Sequence, residues 1–290
     1  MAELWIDPVD LEKRDLFRGP PGGPPPPDPA TRFRFVKRDK GGHSPGYDVR
    51  DPNGVVWSVK LGREAQAEVV TSRLLWAIGF HQLPTYYLSG WTVTGLVGDE
   101  GEVDQSNGGR FRPEIPGYSP IGEWRWDENP LSNSYAMGGL VVAMMIINNW
   151  DLKTSNNKLY EVTGGDGSKR RWYVVRDLGA SLGSNEQAQW IRWSRLRGAQ
   201  GSKNDLEDFE KAGFIDGVEN GHVKFAYRGP NDWIGKAITP GHVRWTAKLM
   251  SRLSDQQWRD AFRAAGYTPE HTARFIAKFR EKIATGLTLQ

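Results

Sequence analysis

The spacing of hydrophobic and polar positions changes several times along the chain, and each change marks a different kind of element. Arg32-Phe33-Arg34-Phe35-Val36 largely alternates polar and apolar residues, the period of a half-buried strand. Gly41-Gly42-His43-Ser44-Pro45-Gly46 breaks that run and Tyr47-Asp48-Val49-Arg50 resumes it. The Asp51-Pro52-Asn53-Gly54 turn then leads into a third strand, Val55-Val56-Trp57-Ser58-Val59-Lys60. A helix is predicted from about Glu64 to Ile78, stopped by Gly79, with Val69, Ser72, Leu75 and Trp76 along one side. Tyr86-Tyr87-Leu88 and the run from Trp91 to Val97 return to strand character and complete a predicted five-stranded sheet.

The second half reads differently. Leu140 to Ile147 is apolar all round, as a central helix buried on every side would be. Leu159-Tyr160-Glu161-Val162 and Arg171-Trp172-Tyr173-Val174-Val175 form a predicted hairpin around Gly164-Gly165-Asp166-Gly167. Beyond it, Thr239-Pro240 and Thr268-Pro269 pair an N-cap residue with proline at the first helical position, and Ser254-Asp255-Gln256-Gln257 fits a capping box. Trp258, Ala261, Phe262 and Ala265, like Phe275, Phe279 and Ile283, follow at helical spacing and read as core.

Two stretches fit neither period. Gly19 to Pro29 is dominated by proline and glycine, which favour polyproline II. Residues 1–30 are therefore expected to be an extended strap or linker, with ligation of an aromatic groove on another protein as the functional alternative. Order is expected to begin near Thr31. Gly98 to Pro130 is rich in glycine, proline and charge, and is expected to be a long loop or insertion. Its Arg110 and Arg112 read as solvated, with an anionic acceptor as their alternative partner. The expected division is a strap over 1–30, a sheet lobe over 31–97, an interlobe loop over 98–132 and a helical lobe over 133–290.

Composition narrows the class. The 290 residues are 38% hydrophobic and 25% charged, ordinary for a globular domain large enough to bury a full core. A net charge of +3, scattered along the chain, suits an anionic ligand but not a nucleic-acid surface. Absence of cysteine removes thiol chemistry and cysteine-ligated zinc, and the five histidines show no zinc-ligand spacing. No apolar stretch approaches the roughly 18 residues of a membrane span. Met1 to Pro8 lacks a signal-peptide pattern. The compartment stays open between the cytoplasm and export by a leader outside this sequence. Among the thirteen tryptophans, Trp124 and Trp126 offer a stacking platform for a sugar or base, or simply core.

The chemistry concentrates in Asn149-Trp150-Asp151-Leu152-Lys153-Thr154-Ser155-Asn156-Asn157 and Val174-Val175-Arg176-Asp177-Leu178-Gly179. Asp151 can orient or deprotonate a hydroxyl, and Lys153, two residues on, can neutralise a transferring phosphoryl group. Asn156 and Asp177 offer hard oxygen ligands to magnesium. Lys60 can hold the α- and β-phosphates, with Glu68, or Glu64 one turn earlier, positioning its ammonium. Gly41, Gly42, Ser44 and Gly46 form a turn whose small residues let backbone amides approach phosphate oxygens, though it lacks a full Gly-x-Gly-x-x-Gly spacing. Caps on a turn and ordinary surface charge are the bland account of any one of these residues.

Together they resemble the protein-kinase-like superfamily. Asp151-Leu152-Lys153-Thr154-Ser155-Asn156 matches its Asp-x-Lys-x-x-Asn catalytic loop, and Asp177-Leu178-Gly179 is similar to its Asp-Phe-Gly motif. The order of strand lysine, glutamate helix, catalytic loop, hairpin and metal aspartate is the same. The resemblance implies an α+β, bilobal fold with a small antiparallel-sheet N-lobe and a mainly helical C-lobe. It implies ATP with Mg2+, or Mn2+ in its place, and transfer to an unidentified hydroxyl-bearing acceptor. Asp151 would be catalytic base or orienting group, Lys153 a phosphate contact, Asn156 and Asp177 metal ligands, and Lys60 with Glu68 an ion pair. Asn149-Trp150 stands where the family has His-Arg, no Ala-Pro-Glu follows, and Glu68 is only eight residues after Lys60. These departures look more like the atypical bacterial HipA or CotH kinds than regulated kinases. A pseudokinase or nucleotide-binding interaction module is the second reading. A carbohydrate-binding or carbohydrate-active protein using Trp124, Trp126, Asp127 and Glu128 is the third.

Overall fold

The computed structural model describes residues 2–39, 46–95, 104–105, 108–185, 201–229 and 231–290. In chain order the elements are β1 (Ala2–Glu3), β2 (Arg32–Asp39), β3 (Gly46–Arg50), β4 (Val56–Leu61), α1 (Glu64–Ala77), β5 (Tyr86–Leu88), β6 (Trp91–Thr94), β7 (Asp104–Gln105), β8 (Gly109–Pro113) and β9 (Tyr118–Gly122). They continue with α2 (Tyr135–Ile146), β10 (Asn157–Thr163), β11 (Lys169–Val175), α3 (Leu206–Lys211), β12 (Ile215–Glu219), β13 (His222–Phe225), α4 (Ile234–Ala237), α5 (Pro240–Ser251), α6 (Asp255–Arg263) and α7 (Pro269–Thr288). Gly41, Gly42 and Ser44 of the expected phosphate-facing turn lie outside the described residues, whereas Gly46 opens β3 directly opposite Lys60.

The architecture is α+β and bilobal, with a sheet-rich N-terminal lobe and a mainly helical C-terminal lobe, as in the protein-kinase-like fold. The first lobe is one sheet in the order β5-β8-β4-β3-β2-β6-β7. β2, β3 and β4 form the antiparallel meander that the alternating pattern predicts. Strand alternation sends Phe33, Val49, Trp57, Val59, Phe111 and Trp91 into one small core, and turns Ser58 and Lys60 to the opposite face. The sheet has seven strands, not five. The extra central member is β8, drawn from the stretch expected to be an interlobe loop. Arg110-Phe111-Arg112 alternates as a strand should, with Phe111 fully buried in the sheet core. Arg110 and Arg112 stand opposite Lys60 and Ser58, so they face α1 rather than water. Expected as solvated charge, they are 5% and 7% exposed. Local composition concealed a strand whose partners are remote in sequence.

The second lobe is built round α2, buried along nearly its whole length because every face meets apolar partners. α5 and α7 pack against it, each starting at its predicted threonine-proline cap. The predicted β10–β11 hairpin pairs residue for residue from Asn157 with Val175 to Thr163 with Lys169. Trp124 and Trp126 belong to this core at 4% exposure, edge to face at 5.0 Å, so they form no open platform. Asp127 and Glu128 both face Arg125 at 3.4 Å on the surface, side by side rather than across a cleft. Among the described residues no helix is long and apolar enough to cross a membrane.

Order does not wait for Thr31. β1 pairs in parallel with β11, and Leu4, Leu11 and Leu16 are buried in the main core. Burial of such leucines contributes about 1.5–3 kcal/mol each, enough to fix the segment before the proline run. Ile6 donates its N–H to Gly79 O at 3.0 Å, and Trp5 Nε1 donates to Ile78 O at 2.7 Å. Gly79 has φ +99°, and a Cβ there would stand 2.2 Å from Ile6 O, so only glycine both ends α1 and admits this crossing.

The same segment creates a pH dependence. His81 stacks on Trp172 at 4.2 Å, with Glu3 3.5 Å from its Nε2. Burial, helped by Arg170, pushes the His81 imidazole down to about 4. An unfolded histidine takes up its proton near pH 6.5, so between about 6.5 and 4 acid favours the unfolded chain. Stability from this residue is complete above that window and falls by up to about 3 kcal/mol across it. His81→Phe keeps the stack and is expected to flatten the pH slope of the urea midpoint relative to wild type. Equal slopes in the two proteins would show that the His81 imidazole titrates alike in the folded and unfolded chain.

Candidate active site

The buried face of β4 and α1 sets out the first half of the site. Lys60 Nζ lies 2.5 Å from Glu64 Oε2, 2.9 Å from Asp177 Oδ1 and 3.7 Å from Glu68 Oε2. Glu64, one turn nearer the start of α1, is thus the closer helical partner. Glu68, which sequence reasoning preferred, is 1% exposed and chiefly engages Arg112 Nη2 at 2.5 Å and Arg110 Nε at 3.0 Å. Burial works against the Lys60 ammonium, but the Glu68, Asp177 and Glu64 carboxylates hold its pKa above the ordinary lysine value. Burial likewise opposes charge on Asp177, and Lys60 outweighs it, keeping the carboxyl below the usual range. Lys203 adds a further hydrogen bond to Glu64 Oε1 while standing over the Trp150 ring at 5.3 Å.

The second half hangs from the end of α2. The chain turns out of the helix through Asn148, fully buried with φ +54°. Lys282, reaching in from α7, donates to Asn148 Oδ1 at 2.6 Å and to Ile146 O at 3.0 Å. A cation bonded to the last carbonyls of a helix satisfies groups the helix itself leaves open, and complements its dipole. Burial drives the Lys282 pKa well below the ordinary lysine value. Asn149 Oδ1 then accepts from Asp151 N at 3.0 Å, and Asn149 Nδ2 donates to Ser181 Oγ at 2.9 Å. Tyr227 OH donates to Trp150 O at 3.3 Å, and burial pushes this phenol up to about 12.

This scaffold gathers the residues singled out by sequence. Asn156 Nδ2 donates to Asp151 O at 2.7 Å, and Asn156 O accepts from Arg176 N and Asp177 N at 2.8 and 3.2 Å. Asp151, Asn156 and Asp177 therefore share one patch, although 26 residues separate the first from the last. Lys153 Nζ lies 2.8 Å from Asp151 Oδ1 and its side chain is 57% exposed, so it reaches over the patch from solvent. Gly179 lets α1 close on this loop, because a Cβ there would sit 2.6 Å from Glu64 Cβ. Gly46 lies beside Lys60 in the register, on the roof of the same cleft.

A cavity of about 1130 Å³ lies between the lobes, lined by neighbours of these residues rather than by the residues themselves. Ser58 and Arg112 of the sheet lobe line it, with Tyr160 and Arg176 of the other lobe and Glu114 and Pro116 of the connection between β8 and β9. Ser58 precedes Lys60 by two residues on the same strand face and Arg176 immediately precedes Asp177. The Lys60–Asp177 pair is thus adjacent in the chain to residues that line the cavity. Around that pair, Lys60, Arg110, Arg112, Lys153, Arg176 and Lys203 outnumber Glu64, Glu68, Asp151 and Asp177, a balance that favours an anion.

A divalent ion fits the donor set. The carboxylate of Asp177 and the side-chain oxygen of Asn156 are hard ligands, and Mg2+ ordinarily takes one or two such groups, completing its shell with water and phosphate oxygens. The described residues contain no group of three or more acidic or histidine side chains that would form an all-protein cage. Arg110, Arg112, Tyr227 and Lys282 were not assigned these places from sequence, and Glu64 was named only as the alternative to Glu68. The Arg-Phe-Arg alternation was a usable signal for the arginines, whereas no local signal marks Lys282.

No family model matches the chain, and no curated protein does either. Among solved structures, the chain is similar to the Helicobacter pylori proinflammatory kinase CtkA, at 10% identity and a TM-score of 0.49, covering 90% of this chain and 98% of that one. It is also similar to the Rio2 kinase of Chaetomium thermophilum, solved as an ADP/Mg2+–phosphoaspartate complex. There the identity is 13% and the TM-score 0.35, over 88% of this chain and 72% of that one. Likeness at this distance assigns no residue a role.

Proposed function

We propose that the chain is an atypical kinase that transfers the γ-phosphoryl group of a nucleoside triphosphate to a hydroxyl acceptor. The motif resemblance implies ATP as donor and Mg2+, or Mn2+, as the ion. One observation carries this reading. Lys60, the loop of Asp151 and Asn156, and Asp177, from three separated parts of the chain, meet in one patch beside the interlobe cavity. The short interval between Lys60 and α1 and the altered loops favour the HipA or CotH kinds over regulated kinases.

In this reading the acceptor oxygen attacks the γ-phosphorus, the bond from that phosphorus to the β-phosphate oxygen breaks, and the hydroxyl proton passes to Asp151 Oδ. A phosphate ester and a nucleoside diphosphate result. Lys60 exchanges part of its contact with Asp177 for the α- and β-phosphates, with Glu64 still holding the ammonium from α1. Lys153 turns from Asp151 toward the transferring group and offsets its charge. Asn156 and Asp177 would hold the divalent ion, which when bound supplies neutralisation of the phosphate oxygens. Catalysis of this kind rests on positioning and charge stabilisation.

Calorimetry of ATP binding, with and without Mg2+, on wild type and Asp177→Asn tests the site. Magnesium-dependent binding lost in the variant is the expected result. Equal binding by both proteins would place the nucleotide elsewhere. Binding by wild type with no phosphoryl transfer to any hydroxyl acceptor would leave the pseudokinase reading. No observation favours the carbohydrate reading.

A further inference from the structure

Three carboxylates surround the Lys60 ammonium: Glu64, Asp177 and Glu68, at 2.5, 2.9 and 3.7 Å. A lysine held by that much negative charge has little attraction left for a phosphate unless other cations offset the carboxylates. Glu68 is offset by Arg110 and Arg112. Glu64 is offset by Lys203, which donates to its Oε1 while Lys60 lies against Oε2. One carboxylate thus bridges two ammonium groups, one oxygen to each. Asp177 has no second ion pair among the described residues, and it is the carboxylate a divalent ion would take.

Lys203 does not reach this place from a free surface loop, because its segment is fixed on both sides of it. Asn204 N donates to Ser181 O at 2.9 Å and Asp205 N to Leu182 O at 2.8 Å. Ser202 O accepts from Trp150 Nε1 at 3.1 Å, and Ser202 Oγ accepts from Ser184 N at 2.8 Å. Asn204 also accepts the Tyr267 hydroxyl and donates to Gln66 Oε1 of α1 at 3.3 Å. The ammonium of Lys203 stands over the Trp150 ring at 5.3 Å, within cation–π range. Its side chain is 23% exposed, against 57% for Lys153. Burial opposes the charge of Glu64, but Lys60 and the Lys203 hydrogen bond outweigh it and keep that carboxyl below the usual range.

We propose that Lys203 is a positioning residue for phosphate binding: by neutralising Glu64 it leaves Lys60 held in place yet free to engage the phosphates. This rests on the nucleotide reading of the cleft and adds the residue that keeps its lysine available. The same contacts tie residues 201–205 to α1 and to the tryptophan before Asp151, so the two halves of the site are joined through them before a ligand enters.

The test is calorimetry of ATP binding with Mg2+ to the full chain in a double-mutant cycle: wild type, Lys203→Met, Glu64→Gln and the two changes together. Methionine keeps nearly the length of the lysine and removes its charge. Lys203→Met is expected to weaken binding about tenfold, within the range of coupling between charged residues in contact. In the Glu64→Gln background most of that loss is expected to vanish, because no carboxylate is left to offset. Lys203→Arg, which restores the charge, is expected to bind close to wild type. A merely structural strap would lower the thermal midpoint of Lys203→Met and leave its affinity unchanged, which would overturn the proposal. An equal loss in both backgrounds would make Lys203 a direct phosphate contact, overturning it too while leaving the nucleotide reading standing. Absence of magnesium-dependent binding by wild type would remove that reading and the proposal with it. Should Lys203→Met fail to fold, Lys203→Gln takes its place with the same expectations.

Discussion

Asp151→Asn is expected to lower phosphoryl transfer by about 10²- to 10⁴-fold, the usual contribution of a positioned acid or base, while leaving nucleotide binding nearly intact. The loop geometry explains why the fold should survive. Its fixed points are main-chain groups: Asp151 N bonded to Asn149 Oδ1, Asp151 O to Asn156 Nδ2, and Trp150 O to Tyr227 OH. The carboxylate's close charge contact is Lys153, on a side chain largely in water. Such an exposed pair contributes at most about 1 kcal/mol to stability. The amide is nearly the same shape as the carboxylate but cannot take the hydroxyl proton. Turnover measured beside the thermal midpoint separates the two effects. Wild-type turnover in a folded Asp151→Asn protein would end the assignment of Asp151 as base.

Glu68→Ala has the largest expected effect on stability, a loss of about 3–5 kcal/mol in urea unfolding. The carboxylate is 1% exposed and lies within 3.0 Å of both Arg110 and Arg112 and 3.7 Å from Lys60. Its removal leaves two buried guanidinium groups without their shared counter-charge, a much costlier state than deletion of a surface pair. A loss of several kcal/mol is a large fraction of the 5–15 kcal/mol that holds a typical domain together. Glu64→Ala provides the contrast. Its partners Lys60 and Lys203 are partly solvated, and Lys60 keeps Asp177, so the loss should be markedly smaller. Equal losses from the two substitutions would mean that the arginines find water or another partner when Glu68 is gone.

The unequal roles of these two glutamates show where sequence reasoning stops. Their four-residue interval puts both on one side of α1, and that much is local geometry. Which one meets Lys60 and which meets the arginines depends on β8 entering between β4 and β5, a pairing that joins residues about 50 apart in the chain. Once β8 is in place, alternation sends both arginines to the α1 face and Glu68 becomes their common partner. Within residues 98–130 only the three-residue Arg110-Phe111-Arg112 alternation hints at this, and the loop-like composition around it conceals the strand. The same holds for Lys282, whose helical surroundings suggest a surface lysine until α7 packs beside the end of α2.

By itself the sequence determined what local rules govern: the strand alternation of β2 to β4, the limits of α1, the capped starts of α5, α6 and α7, the β10–β11 hairpin, and the Asp-x-Lys-x-x-Asn and Asp-Leu-Gly motifs. Each depends on period, capping or turn chemistry within a few residues. Tertiary structure alone decided the seven-strand order, the burial of Leu4, Leu11 and Leu16 before the proline run, and the buried arginines of the cleft. It also decided the anchoring of the turn from α2 into the Asp151 loop by Lys282. These depend on contacts between segments tens to hundreds of residues apart. There the partner's identity, rather than the residue's own neighbours, sets whether a leucine finds a core or a charge finds a counter-charge.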